Sequence, residues 1–101
     1  MLGVDLAKIN RFDNVSDDFI ERFLSPAEII EFNKIKDNSI LRSKYAATHW
    51  AIKEALLKAD GKLNKFKEIS ITKIDGKYHF LDFEISTSNE DDMVIAIVYK
   101  N

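Results

Sequence analysis

The chain has 101 residues, room for one compact domain, because a hydrophobic core closes at about 100–150 residues. With 46% hydrophobic and 32% charged residues, including seven Phe, three Tyr and one Trp, it carries enough apolar side chain to build a core and too much to stay disordered. Fifteen Lys plus Arg against seventeen Asp plus Glu give a net charge of −2, which excludes a strong overall pull toward nucleic acid or anionic lipid and leaves only a local basic patch open. There is no cysteine, so disulfide frameworks, thiolate metal sites and cysteine nucleophiles are excluded, and a reducing, cytoplasmic setting is expected. Met1-Leu2-Gly3-Val4-Asp5 puts an acid where a signal peptide needs an apolar run, and no stretch approaches the ~18 apolar residues of a membrane span.

In chain order, Leu2, Val4 and Leu6 alternate with Gly3, Asp5 and Ala7, a period of two that predicts a short strand with Asp5 between small neighbours. Ser16-Asp17-Asp18 caps a short helix carrying Phe19, Ile20, Phe23 and Leu24. Ser25 then reads as the N-cap of a second helix, with Pro26 in its first position and Glu28 completing a capping box, running to Phe32 or Ile35. After the polar break Lys36-Asp37-Asn38-Ser39, the longest periodic segment spans about Ile40 to Ala59 and closes at Asp60-Gly61. Two strands, Ile69–Ile74 and Lys77–Leu81, flank Asp75-Gly76, the signature of a type I′ hairpin. Phe83–Ser86 predicts a further strand, Asn89–Asp92 a turn, and Met93–Val98, apolar on both faces, a central strand or one in a subunit interface. The order predicts an α+β domain covering residues 1–101: an N-terminal strand, three helices, then an antiparallel sheet.

Chemistry concentrates in the long helix. Lys53 and Glu54 sit among Trp50, Ala51, Ile52, Ala55, Leu56 and Leu57, and a buried charge needs a partner. The plain reading pairs Glu54 with Lys58 one turn on. Asp5 is the second candidate: acids are depleted in strands, and Gly3 on the same face leaves room for a ligand or metal, although a solvated edge residue explains it as well. Taken together, Asp5 and Glu54 offer two oxygen donors suited to Mg²⁺, and hence to phosphate chemistry. Neither histidine, His49 or His79, has a metal-ligand neighbour. Three glycines supply no phosphate-binding loop or dinucleotide fingerprint, and no serine carries a hydrolase motif.

Gly3-Val4-Asp5, then Arg22-Phe23-Leu24-Ser25-Pro26-Ala27-Glu28, then Trp50-Ala51-Ile52-Lys53-Glu54-Ala55-Leu56-Leu57-Lys58 resemble, in that order, the signatures of the 4′-phosphopantetheinyl transferases. The nearest likeness is to the short bacterial branch, and it covers nearly the whole chain. The resemblance implies that Asp5 and Glu54 ligate Mg²⁺, which also holds the pyrophosphate of coenzyme A. It implies that Lys58 contacts a phosphate, that Gly61 lets the backbone approach the cofactor, and that Lys53 orients phosphate or stabilises the leaving group. A serine of an acyl carrier protein would attack the β-phosphorus and release adenosine 3′,5′-bisphosphate, work belonging to fatty acid biosynthesis.

The sequence departs from the family pattern at His49, where an arginine is common and a contact to the cofactor is implied. The Ser-x-Ser-His of the C-terminal strand appears as Ser86-Thr87-Ser88-Asn89, whose Ser86, Ser88 and Asn89 the resemblance places at the cofactor. It further implies a homotrimer, with the Ser86–Asn89 segment beside the cofactor of a neighbouring subunit, and a carrier-docking site at Arg11 and Arg22, with Lys44 a companion or an ordinary surface charge. Neither nucleic acid nor membrane is an expected partner. The alternatives are a diverged module that binds coenzyme A or a carrier protein without transfer, and a purely structural interaction domain, which leaves Asp5, Lys53 and Glu54 unmotivated.

Overall fold

The computed structural model describes all of residues 1–101. Strand β1 (Leu2–Lys8) leads through a 3₁₀ turn at Ile9–Phe12 into helices α1 (Asp17–Glu21), α2 (Pro26–Ile35) and α3 (Ser39–Ala59). A second 3₁₀ turn at Phe66–Glu68 precedes strands β2 (Thr72–Ile74), β3 (Lys77–His79), β4 (Glu84–Glu90) and β5 (Met93–Tyr99). Each helix starts where its cap chemistry directs. The side chains of Ser16, Ser25 and Asn38 accept hydrogen bonds from the backbone N–H of Phe19, Glu28 and Leu41, each cap contributing about 1 kcal/mol. At α2 the box is complete, because the Glu28 carboxylate also accepts from the Ser25 N–H at 2.9 Å.

The main sheet is antiparallel in the order β1-β5-β4. Its register places Gly3 opposite Val98, Asp5 opposite Ala96 and Ala7 opposite Val94, while Thr87 meets Ala96 from the other side. Successive residues point to opposite faces, so Gly3, Asp5 and Ala7 share the face that α3 covers. Ala46, Ala47, Ala51, Ile52, Ala55 and Leu56 of α3 are wholly buried against it together with Ala96 and Val98. Alanines on the helix and small residues on β1 let the two backbones approach closely, which brings polar side chains of one element within reach of the other. The opposite face of the sheet is apolar and open: Leu2, Val4, Leu6, Ile97 and Tyr99 are all exposed.

The hairpin forms as expected, with Asp75 and Gly76 at φ of 51° and 78°, the pair of positive values a type I′ turn demands. Its strands are shorter than the sequence suggests. Ile69 and Ile71 are buried under the helices rather than paired in a ladder, and the chain turns back at Leu81, φ 50°, to form an isolated bridge between Phe80 and Phe83. Strand β4 is longer than expected. Asn89 and Glu90 pair with Val94 and Met93, so the turn shrinks to Asp91-Asp92, with Asp91 at φ 53°. At the end of α3, Asp60 is extended rather than followed by a left-handed glycine. Gly61 is therefore not a conformational requirement of the helix end.

Candidate active site

β1 and α3 run antiparallel along one another, and three contacts fix their register. A Cβ on Gly3 would fall onto the carbonyl oxygen of Ala55 and come within 2.9 Å of the Ala59 nitrogen. Asp5 accepts a 3.0 Å hydrogen bond from the Lys58 ammonium, which also donates to the Val4 carbonyl at 3.2 Å. Just beyond β1, the Arg11 guanidinium lies 5.3 Å from the centre of the Trp50 ring. Trp50, Glu54 and Lys58 are each four residues apart and occupy one helix face. Glu54, half-buried, is thus bracketed by Arg11 over Trp50 on one side and Asp5 on Lys58 on the other.

This replaces the expected Glu54–Lys58 pair. Lys58 spends its charge across the helix–strand contact on Asp5, because the β1 carbonyl and carboxylate are both within reach there. The side chain of Asp5 is 14% exposed and that of Lys58 is 55% exposed, so the pair sits at the rim, open to solvent from the lysine side. No group of three or more His, Cys, Asp or Glu is placed to hold a metal ion. The donor set is therefore two carboxylates with a cation already drawn to one of them. That fits Mg²⁺, which takes one or two carboxylates and completes its shell with water and substrate phosphate, and does not fit a four-ligand zinc site.

Lys53 stands elsewhere, which corrects its expected role at the phosphate. It is fully buried, and its ammonium donates to Glu28 Oε1, to the Phe23 carbonyl at 2.8 Å and to the Phe66 carbonyl at 3.0 Å. All three donors are spent. Burial pulls its pKa down while the Glu28 carboxylate opposes that shift and favours the charged form. Adjacent positions on a helix point about 100° apart, so the neighbour of a half-buried Glu54 is directed into the core. Glu28 is satisfied in turn: Oε1 accepts from the Ser25 N–H and Oε2 from the Ile71 N–H at 2.7 Å.

His49 is also displaced from its expected place at the cofactor. It is buried and stacked on Tyr45, with ring centres 3.9 Å apart. Its Nδ1 lies 2.9 Å from the Tyr45 carbonyl, an acceptor, so Nδ1 carries the proton. Burial pushes its pKa down, outweighing the Glu28 carboxylate 4.0 Å from Nε2, and the ring is neutral near pH 7.

The remaining candidates divide between surfaces. Arg22 is exposed and lines a cleft with Phe19, Phe23, Trp50, Phe66 and Lys67, and Arg11 lies over the ring of the same tryptophan. Gly61 is exposed, with open space where a side chain would be. Ser86 and Ser88 pair with Ile97 and Ile95 on the open face of the sheet, so the sheet itself lies between them and Asp5. Asn89 shares a shallow hollow with Asp13, Ser43, Lys44, Asp91 and Asp92. Lys44 is therefore separated from Arg11 and Arg22. Two residues escaped the sequence reading. Glu28 announced itself only as a helix cap, although its capping box carried the signal. Arg42, which donates to Asp17 and to the carbonyls of Phe12 and Val15 and so holds the segment behind Arg11, gave none.

Residues 1–98 match the family described as the 4′-phosphopantetheinyl transferase superfamily. The chain is 49% identical over 100 residues to a holo-[acyl-carrier-protein] synthase of Mycoplasmopsis pulmonis, covering 99% of this chain and 89% of the relative. It is 47% identical to the same enzyme of Mycoplasma mobile, covering 99% and 88%. Among solved structures it resembles the Helicobacter pylori holo-[acyl-carrier-protein] synthase in complex with coenzyme A, with a TM-score of 0.76 and 29% identity over 97% of both chains.

Proposed function

The chain belongs to the 4′-phosphopantetheinyl transferase superfamily and is a transferase of the holo-[acyl-carrier-protein] synthase kind, and from that premise we propose how its residues carry out the transfer. The donor is coenzyme A and the acceptor a serine hydroxyl of an apo acyl carrier protein. The hydroxyl attacks the β-phosphorus, the bond from that phosphorus to the bridging oxygen of the diphosphate breaks, and adenosine 3′,5′-bisphosphate leaves. Asp5 and Glu54 would hold the divalent cation, and Lys58, more than half exposed at the same rim, would offer its charge to a substrate phosphate. Mg²⁺ bound there would supply charge neutralisation on the phosphoryl oxygens. The observation that carries this reading is the register of β1 on α3, which puts a strand carboxylate against the helix turn between Glu54 and Lys58.

Arg22 in the Trp50 cleft and Arg11 over the Trp50 ring supply the local positive charge that a chain of net charge −2 needs to meet an acidic carrier. Arg11→Glu is expected to raise KM for the carrier about tenfold at low salt and to leave KM for coenzyme A unchanged. The open sheet face of Leu2, Val4, Leu6, Ile97 and Tyr99 supports assembly into a homotrimer, since contiguous apolar area of this kind is rarely left to water. That assembly also gives Ser86 and Ser88 a route to a cofactor, because within one chain the sheet separates them from Asp5. No helix is long and apolar enough to cross a membrane, and we place the enzyme in the cytoplasm.

Mass spectrometry of an apo carrier incubated with the protein, coenzyme A and Mg²⁺ tests the reading. Addition of one phosphopantetheine that chelation abolishes is the expected result. Binding of coenzyme A without transfer would favour the non-catalytic alternative instead. Sedimentation equilibrium tests the assembly, and a monomer at micromolar concentration would overturn it.

A further inference from the structure

The geometry points to Lys53 and Glu28 as a positioning pair that sets the width of the Trp50 cleft. One wall of that cleft is α1 with the residues just after it, carrying Phe19, Arg22 and Phe23; the other is the segment carrying Phe66 and Lys67; Trp50 lies between them. The Trp50 ring meets Phe23 edge-on at 5.1 Å and Phe66 edge-on at 5.9 Å between centres. Lys53, one turn along α3 from Trp50, takes hold of both walls from behind by donating to the Phe23 and the Phe66 carbonyls. Glu28 takes the third donor and also accepts from the Ser25 and Ile71 N–H groups, which follow the two walls in the chain.

The alternative is a pair that merely stabilises the core, and two observations stand against it. Four of the pair's bonds go to backbone groups, two of them carbonyls of the two walls, whereas a simple ion pair needs only its partner. A hydrophobic pair of equal size would remove both charges together but would leave those backbone groups without partners. It could not hold two carbonyls at a fixed separation. Lys53 thus acts through Phe23, Phe66 and Trp50 rather than on the reacting atoms, and its substitution affects the partner that enters the cleft. The inference rests on the reading that the carrier docks beside Arg11 and Arg22.

The test uses the sole tryptophan as a reporter at the cleft floor. In Lys53→Met, and in the charge-neutral Lys53→Met/Glu28→Gln if the single variant does not fold, acrylamide quenching of Trp50 is expected to rise about twofold. KM for the apo carrier is expected to rise about fivefold, with kcat and KM for coenzyme A within about twofold of the parent. Val98→Ala, a core substitution on the covered face of the sheet, serves as the control: it lowers stability and moves neither reading. Unchanged quenching, or a rise in quenching without a rise in the carrier's KM, overturns the positioning role, as does a Val98→Ala variant that reproduces both effects. Absence of transfer by the parent protein would instead overturn the proposed function, while the quenching result would still report whether the pair holds the walls.

Discussion

Of the three lysines of helix α3, Lys53 and Lys58 stand five positions apart, and each pairs with a carboxylate from another element under opposite conditions. Lys53–Glu28 is sealed in the core, 0% and 1% exposed, with every donor matched. Lys58–Asp5 stands at the rim, 55% and 14% exposed. A sealed pair has lost its hydration and is held by geometry, so removing one partner strands the other in a low dielectric. At the rim, water and salt compete with the pair, which contributes little to stability and leaves both groups free to exchange partners. The inner pair builds the scaffold, and the outer pair stays available to a cation and a phosphate.

Breaking the inner pair should have the largest effect on folding. Glu28→Ala is expected to cost about 3–5 kcal/mol, because the Lys53 ammonium is left unpaired in the core, whereas Lys58→Ala should cost under about 1 kcal/mol. Urea denaturation of the two variants measures the contrast directly. Chemistry should reverse the ranking: Asp5→Asn and Glu54→Gln are expected to keep near-parental stability and to lose about a hundredfold or more in transfer rate. Circular dichroism beside the transfer assay checks this, and full activity in either variant would sink the assignment of the two carboxylates.

The strand–helix contact that creates the outer pair can be strained without touching either charge. Gly3→Ala forces β1 away from the Ala55 carbonyl, at an expected cost of about 1–3 kcal/mol. Activity should fall along with stability, since Asp5 moves with the strand. A stability loss confined to under about 0.5 kcal/mol would show that β1 shifts freely. The smallest effect concerns pH. Burial holds the folded-state pKa of His49 below its ordinary value of 6.5, so below that pH the unfolded chain takes up a proton that the folded chain resists. Stability should therefore decline as pH falls from about 6.5 toward the folded value. His49→Gln should flatten the melting temperature over that window, by a degree or two.

Much of this molecule was determined by its sequence alone. Ser16, Ser25 and Asp75-Gly76 set helix starts and a hairpin through local chemistry that needs no tertiary partner, and the apolar Met93–Val98 run required a strand covered on at least one face. The family pattern singled out Asp5, Glu54 and Lys58 for the same reason that motifs are readable: residue types at fixed spacings. Tertiary structure decided the rest. Whether Glu54 or Asp5 would take Lys58 depended on how closely β1 lies on α3, a distance set by Gly3 and the helix alanines acting together. Lys53 and Glu54 are neighbours in the chain with opposite fates, because a helix turns about 100° per residue and only the packed core defines which side is inside. The closeness of His49 to Glu28 and the joining of Glu28 to Lys53 arise from contacts between segments distant in the chain, and no local pattern records which distant carbonyl or carboxylate will be waiting there.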